Sequence, residues 1–330
     1  MAILPIVEVS VLRPFQALLE REGTTAGPYL RQVGISPDQV AAGDGWITKP
    51  QAYAFMRAAG EGEGIPDLGY RVGRAFHFEA LGSLGPRMQS CETLKEALDM
   101  LSDSVRRVAT DNRVWLSRDD DHVWLHNDSG DTTLPGSEHG VQLGAMVFLK
   151  LVQQAATAGG WRPRDVRLES DPEIVHEMVP ELAGARPSFR ASSTAIRFPS
   201  GFLGRPLAGP AGNERRPALE FPPTGFGAAL TEVVHSRLQF AGVPRIEEAA
   251  EMCAVSQRTL QRRLTEDGIS YRRVCDRARF RRAVELLEDP SVTTSDLTAE
   301  LGYSDRRSLI RAFRRFTGMT PGEYRRVAKD

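Results

Sequence analysis

The chain has little cysteine. Cys91, Cys253 and Cys275 are odd in number and far apart in 330 residues. That excludes a disulfide framework and fits a reducing compartment, so the cytoplasm is the expected location. No apolar run approaches the ~18 residues of a membrane span, and the N-terminus lacks the charged-then-apolar order of a signal peptide, so no membrane partner is expected. Catalytic signatures are missing too. There is no G-x-S-x-G elbow and no phosphate-binding glycine loop, since Gly62-Glu63-Gly64 follows a helix rather than a strand. Asp119-Asp120-Asp121 lacks the spacing and distal glutamate of a calcium loop. His122 and His126 share one face of an expected strand, but no third ligand falls near them. The expectation is no enzyme, no catalytic residue, no metal and no cofactor.

Net charge is also lacking, at −1. Its distribution is uneven. From Thr224 onward there are 19 Lys and Arg against 15 Asp and Glu, net +4, leaving 23 against 28 before it, net −5. A basic tail on an acidic front half is the asymmetry of a DNA reader carrying a sensor. Nearly all the tail's cations are arginine, whose planar fork fits phosphate and guanine.

What is present is a repeat in that tail. Asp305 to Phe316 reads as one helix, with Leu309, Ala312, Phe313 and Phe316 on an apolar stripe and Arg307, Ile310, Arg311 and Arg314 on a neighbouring, mostly cationic one. Gly302 is expected to end a short preceding helix, Ser304 to cap the next, Gly318 to close it, and Thr320-Pro321 to open a third. Earlier, Ile246 to Cys253, a turn at Ala254-Val255-Ser256 and a helix from Gln257 to Asp267 repeat the unit. Ala250, Ala254 and Val255 precede Thr298, Gly302 and Tyr303 by 48 positions; with one residue inserted, Leu260 and Leu264 precede Leu309 and Phe313 by 49. On that register Arg258, Gln261, Arg262 and Thr265 match Arg307, Ile310, Arg311 and Arg314. Two helix–turn–basic-helix units in one chain imply two helix-turn-helix readers.

The run Gly302-Tyr303-Ser304-Asp305, then Arg311-Ala312-Phe313-Arg314-Arg315, Gly318-Met319-Thr320-Pro321 and Tyr324-Arg325, resembles the signature of AraC/XylS-type transcriptional regulators. The resemblance covers roughly the last 100 residues and implies that one long helix, here Tyr271 to Glu288, joins the two units. Leu309 stands where the family usually has phenylalanine, Ala254 where the first turn often has glycine, and Thr294 and Thr298 where it prefers an aliphatic residue and alanine. The threonines lead one to expect a less tightly buried second unit. The family's base-facing positions fall on Arg258, Gln261 and Arg262, and on Arg306, Arg307, Ile310 and Arg311, with Arg314 as a phosphate contact.

The front half alternates helices with β-rich segments. Ile3 to Val7 is an apolar arm; helices are expected over Val11–Glu22, Pro28–Val33, Lys49–Ala59, Asp67–Phe76, Thr93–Ala109, Gly140–Ala156 and Glu173–Met178. Strands are expected at Trp46-Ile47-Thr48, a hairpin of Val114–Leu116 and His122–His126, Val166–Leu168 and Ala195–Phe198. Asp67-Leu68-Gly69-Tyr70-Arg71-Val72-Gly73, Leu84-Gly85 and Thr93-Leu94-Lys95-Glu96-Ala97-Leu98 resemble the "arabinose-binding" type of effector domain. Prolines and glycines accumulate from Leu207 to Gly225 as a linker. The expected organisation is an α+β effector-binding and dimerisation domain over 1–207, a linker over 208–225, and an all-α double helix-turn-helix domain over 226–330.

The functional expectation is a sequence-specific regulator that binds double-stranded DNA and responds to a small-molecule effector. The family resemblance implies a homodimer and an activator working through RNA polymerase. The large aromatics Trp46, Phe76, Phe78, Trp115, Trp124 and Phe148, with Trp161, are candidates for a mainly apolar effector pocket. The apolar faces of Thr93–Ala109 and Gly140–Ala156 are candidate dimer surfaces. Two other classes compete: an architectural DNA binder without an effector, and a DNA-modifying enzyme on a similar DNA module. The second would need a reactive cysteine, and Cys91, beside Ser90 and Glu92 at a helix start, reads as a packing residue.

Overall fold

The computed structural model describes residues 3–78, 84–88, 90–156, 160–169, 179–207, 222–223 and 225–327. The expected helix at 173–178 lies outside them, as does most of the 208–225 linker.

The chain begins with strand β1 (Ile6–Glu8), a 3-10 turn, and helices α1 (Arg13–Arg21), α2 (Gly27–Gln32) and α3 (Pro37–Ala42). Strand β2 (Trp46–Thr48) pairs antiparallel with β1 and leads into α4 (Lys49–Gly62). Thr48 caps α4 through a reciprocal exchange with Gln51, which fixes where strand becomes helix. Helices α5 (Leu68–Ala75), α6 (Gly85–Met88) and α7 (Leu94–Ser104) follow. The hairpin of β3 (Arg113–Asp119) and β4 (His122–Asp128) turns at Asp120, which adopts φ +52. Helix α8 (Ser137–Gln154) then precedes β5 (Asp165–Arg167), β6 (Arg186–Ser188) and β7 (Thr194–Pro199). The five-stranded sheet runs β3-β4-β7-β5-β6, antiparallel except for β5 with β6.

The front half is thus α+β, as expected, with differences at the edges of elements. Helix α4 continues through Gly60 to Gly62 rather than breaking there. The expected helix from Thr93 to Ala109 ends at Ser104 and tightens into a 3-10 turn at Val105–Arg107. Helices α5 and α8 pack closely. A Cβ on Gly69 would lie 2.0 Å from the His139 carbonyl oxygen, and one on Gly73 2.3 Å from Met146 Cβ. The two glycines of the Asp67–Gly73 motif are therefore the surface on which α8 rests. The apolar face of α8 (Leu143, Val147, Leu151) and that of α7 (Leu94, Leu98, Leu101) are buried in this core, so neither is free as a dimer surface.

The back half is all helical: α9 (Phe226–Ala241), α10 (Ile246–Met252), α11 (Gln257–Glu266), α12 (Tyr271–Leu287), α13 (Thr294–Glu300), α14 (Arg306–Thr317) and α15 (Pro321–Val327). It holds two cores. One gathers Phe226, Leu230, Leu260, Leu264 and Val274. The other gathers Leu238, Leu287, Leu297, Leu301, Leu309 and Phe313. Helix α12 and helix α9 contribute to both. The first core also receives Leu4 and Ile6 from the N-terminal arm, fully buried.

Candidate nucleic-acid interface and effector cavity

In the first unit, the turn after α10 closes with Val255 N–H donating to Ala250 O at 3.0 Å, and Ala254 takes φ +51. In the second, Tyr303 N–H donates to Thr298 O at 3.0 Å and Gly302 takes φ +64. These are the same left-handed helix cap, and the 48-residue register pairs the two residues. Ser256 caps α11 through Thr259 N–H. Asp305, not Ser304, caps α14, accepting from Ser308 N–H at 2.8 Å. The residue inserted between the repeats therefore falls in the second turn. The Asp305 carboxyl is held down to about 2 by that backbone hydrogen bond and the Ser308 hydroxyl.

With the caps fixed, helical periodicity places the faces. Leu260 and Leu264 on α11, and Leu309, Ala312 and Phe313 on α14, are buried. Arg258, Gln261, Arg262 and Thr265 are exposed on α11; Arg306, Arg307, Arg311 and Arg314 are exposed on α14, with Ile310 half-buried among them. Arg262 pairs with Glu266 at 2.6 Å, and Arg311 donates to Ser308 Oγ at 3.0 Å. The guanidinium groups of Arg258, Arg306, Arg307 and Arg314 have no hydrogen-bond or ion-pair partner among the described residues. Cations left free on a reading helix are groups able to neutralise phosphate. Arg315 and Arg279 differ: Arg315 lies 3.5 Å from Asp276, and Arg279 is tied to the Leu301 carbonyl and lies over Tyr303. They lock α12 to the second unit.

Two details of the second unit depart from expectation. Phe316, on the expected apolar stripe, remains 37% exposed, its ring stacked on Phe280 with centroids 4.9 Å apart. The Thr298 hydroxyl donates to Thr294 O at 2.7 Å, so it adds no unsatisfied polar atom.

The front domain contains a cavity of about 170 Å³. Its walls are mainly aliphatic, from Val7, Met56, Leu101, Val105, Leu143 and Val147, with Lys49, Tyr53, Asn112, Asn127 and Ser129 at a polar end. Of the aromatic candidates, Phe76 and Phe148 line it. The others do not. Trp46 packs on the first back-half core; Phe78 lies behind Phe76, edge to face at 5.9 Å. Trp115 is 39% exposed on an edge strand, stacked on His126 at 4.8 Å. Trp124 donates to Asp119 and lies under Arg167, and Trp161 packs against Phe202. His126 is held between Ser117 and Ser193. Cys91 is buried, and burial pushes its thiol up to about 11, which makes it inert at neutral pH. Lys49, which the sequence offered only as a helix start, is the residue that reasoning from aromatics missed.

The strand pair β1–β2 touches both regions. By the two-residue strand period, Leu4 and Ile6 enter the back-half core while Val7 enters the front core. On its other edge β1 bonds to the segment behind the cavity: Glu8 N–H to Val108 O at 2.9 Å and Thr110 N–H to Ile6 O at 3.0 Å. From β2, Trp46 N–H donates to Ser236 Oγ on α9 at 2.8 Å, and the Thr48 hydroxyl donates to Met252 O at the end of α10. Thr48 is the residue before Lys49.

Comparison with known proteins agrees with this geometry. Residues 23–207 match the family described as the arabinose-binding domain of AraC transcription regulator, N-terminal, and residues 249–327 match a helix-turn-helix domain family. The ornithine utilization regulator of Pseudomonas aeruginosa is 28% identical over 271 residues, 79% of each chain. The HTH-type transcriptional regulator VirS of Mycobacterium tuberculosis is 24% identical over 335 residues, 97% of this chain and 96% of VirS. VqsM, an HTH-type transcriptional regulator of P. aeruginosa, is 38% identical over 82 residues, so there the match spans only 25% of each chain. No helix among the described residues is long and apolar enough to cross a membrane. The chain belongs to the AraC-type transcriptional regulators, with an arabinose-binding-type N-terminal domain and a helix-turn-helix DNA-binding domain.

Proposed function

We propose that this regulator is controlled by a small molecule bound in the front-domain cavity, and that it reads double-stranded DNA in two adjacent major grooves. Residues 1–207 form the effector domain, 208–225 the linker and 226–330 the DNA reader. Arg258, Gln261 and Arg262 face bases from the first unit. Arg306, Arg307, Ile310 and Arg311 do so from the second, and Arg314 holds phosphate. The protein works in the cytoplasm as a homodimer and activates transcription through RNA polymerase; both the dimer and the activator sign rest on the family resemblance.

One observation carries the effector reading. The β1–β2 pair is part of the cavity wall through Val7 and Glu8 and part of the first reading unit's core through Leu4 and Ile6. A ligand that repositions β1 therefore alters the support of α10 and α11, which is the physical requirement for coupling two sites. The test is a native mass spectrum of the purified protein for a retained small molecule. DNA affinity is then measured with and without that molecule. A change of about 5- to 150-fold is expected. A retained molecule that leaves DNA affinity unchanged would sink the coupling. For the dimer, a monomeric mass at high micromolar concentration, with and without the molecule, would count against it.

A further inference from the structure

The polar end of the cavity specifies the charge of its ligand. Lys49 is a buried ammonium with three N–H donors. All three are in use: Asp111 Oδ1 at 2.6 Å, Asn112 Oδ1 at 2.7 Å and the Ser129 carbonyl. An incoming carboxylate or phosphate finds no free donor on Lys49. It would also meet Asp111, Asp128 and Glu169, all close enough to act on Lys49. The acids are engaged as well. Asp111 is committed to Lys49, Asp128 accepts from Gly130 N–H at 2.9 Å, and Glu169 accepts from the backbone N–H and hydroxyl of Thr194. Glu8, which lines the cavity, accepts from Ser10 and has a further partner. A cationic head therefore gains no open counter-ion.

Uncharged atoms remain, among them the amide nitrogen of Asn112, whose side-chain oxygen alone is used, by Lys49, among the described residues. Tyr53 is 4% exposed, lines the cavity, and its hydroxyl makes no hydrogen bond among the described residues. Burial, reinforced by Asp111 and Glu169, raises the Tyr53 phenol and keeps it a neutral donor. On the same cavity, Asn127 uses its amide N–H on Ser129 Oγ at 2.7 Å, and its side-chain oxygen has no donor among the described residues. Neutral donors and an acceptor, unpaired among the described residues on an otherwise apolar cavity, are complementary to a head that accepts and donates.

We propose that the cavity takes an uncharged amphipathic ligand. Its apolar body has about the size of a single ring or a six-carbon chain, since a cavity of about 150 Å³ holds benzene. Its neutral head, such as a primary amide or a hydroxyl, accepts from Tyr53 Oη and donates to Asn127 Oδ1. This rests on the effector reading above.

The experiment is calorimetric titration of the full chain with three probes of matched length: hexanamide, hexanoate and hexylammonium. Hexanamide is expected to bind roughly tenfold or more tightly than either ion, because a charged head is buried without a free partner. Tyr53→Phe is expected to weaken hexanamide by about three- to tenfold, the worth of one hydrogen bond, while melting like the wild type. Equal or tighter binding of hexanoate or hexylammonium would overturn the neutral head and leave effector control standing. Unchanged hexanamide affinity in Tyr53→Phe would overturn the assignment to Tyr53. Binding of none of the three would overturn both this inference and the use of the cavity as an effector site.

Discussion

The two left-handed caps make a controlled experiment on the reading units. Ala254 and Gly302 occupy matching positions at φ +51 and +64, with the same 3.0 Å closing hydrogen bond one residue later. An L-residue in this region strains its Cβ against the following carbonyl, at about 1–2 kcal/mol. Glycine escapes that strain but loses about 0.4–1 kcal/mol more on ordering. The difference, about 0.5–1 kcal/mol, has opposite sign at the two sites. Packing does not complicate it: Ala254 is exposed, and a Cβ on Gly302 would have nothing within 4 Å. Ala254→Gly should stabilise the first unit and Gly302→Ala destabilise the second. For a back-half unit of this size that corresponds to melting shifts of roughly 2–8 °C, upward and downward. Because a two-domain chain need not melt as one unit, amide hydrogen exchange should be followed separately in α10–α11 and α13–α14 of the full protein. Slower exchange confined to α10–α11 in Ala254→Gly, and faster exchange confined to α13–α14 in Gly302→Ala, is the expected pair. Shifts of the same sign in both variants would refute the reasoning.

Other substitutions probe separate links. Gly69→Ala should destabilise the front domain by about 1–3 kcal/mol, since its Cβ must displace the α8 backbone at His139; a melting point unchanged in thermal denaturation would show that α5 and α8 are not held so close. Arg258→Ala or Gln261→Ala should relax base preference in one half of the site, at about 1–3 kcal/mol per lost bidentate contact. Arg314→Ala should instead weaken all sequences alike and lower the salt slope by about one phosphate. Binding over a library of mutated sites at two salt concentrations separates the two effects, and a larger loss of base preference in Arg307→Ala than in Arg258→Ala would reverse the assignment. The Asp305 carboxyl sits at about 2 when folded, below its ordinary 3.8, so its contribution to α14 is complete above 3.8 and is lost as pH falls toward 2. Asp305→Asn keeps the cap without the charge; the stability gap between it and the wild type, read from α14 amide exchange, should close over that window, and a pH-independent gap would remove the electrostatic explanation.

The two reading units and α12 were legible in the sequence because their signals are local, whereas helix α9 (Phe226–Ala241) went unread and the cap of α14 was placed one residue early. Ser256, Gly302, Gly318 and Thr320-Pro321 punctuate the helices, and a 3.6-residue stripe decides each buried face. The front half was legible as elements but not as a site. Helix α3 went unread although Ser36 caps it, Pro37 opens it and Gly43 closes it, because it carries only Gln39 and Val40 inward. Strand β6 is three residues with no alternating pattern, and only its neighbours define it. The pocket was sought among large aromatics, yet four of the six candidates lie elsewhere. Tryptophans on the β3–β4 hairpin satisfy themselves at the sheet surface, whereas the cavity walls come from aliphatic residues on helices distant in sequence. Nor could the arm Ile3–Val7 show that it would divide its alternate side chains between two cores, since that depends on where β2 places it.

The most direct measurement is selection of DNA sites from a random library by the full protein at physiological salt, followed by footprinting of the selected site. A recovered consensus with contacts from one chain in two successive major grooves, about 10 bp apart, is the result expected of two reading units on one α12. Recovery of no consensus, or protection of a single major groove by each chain, would contradict it.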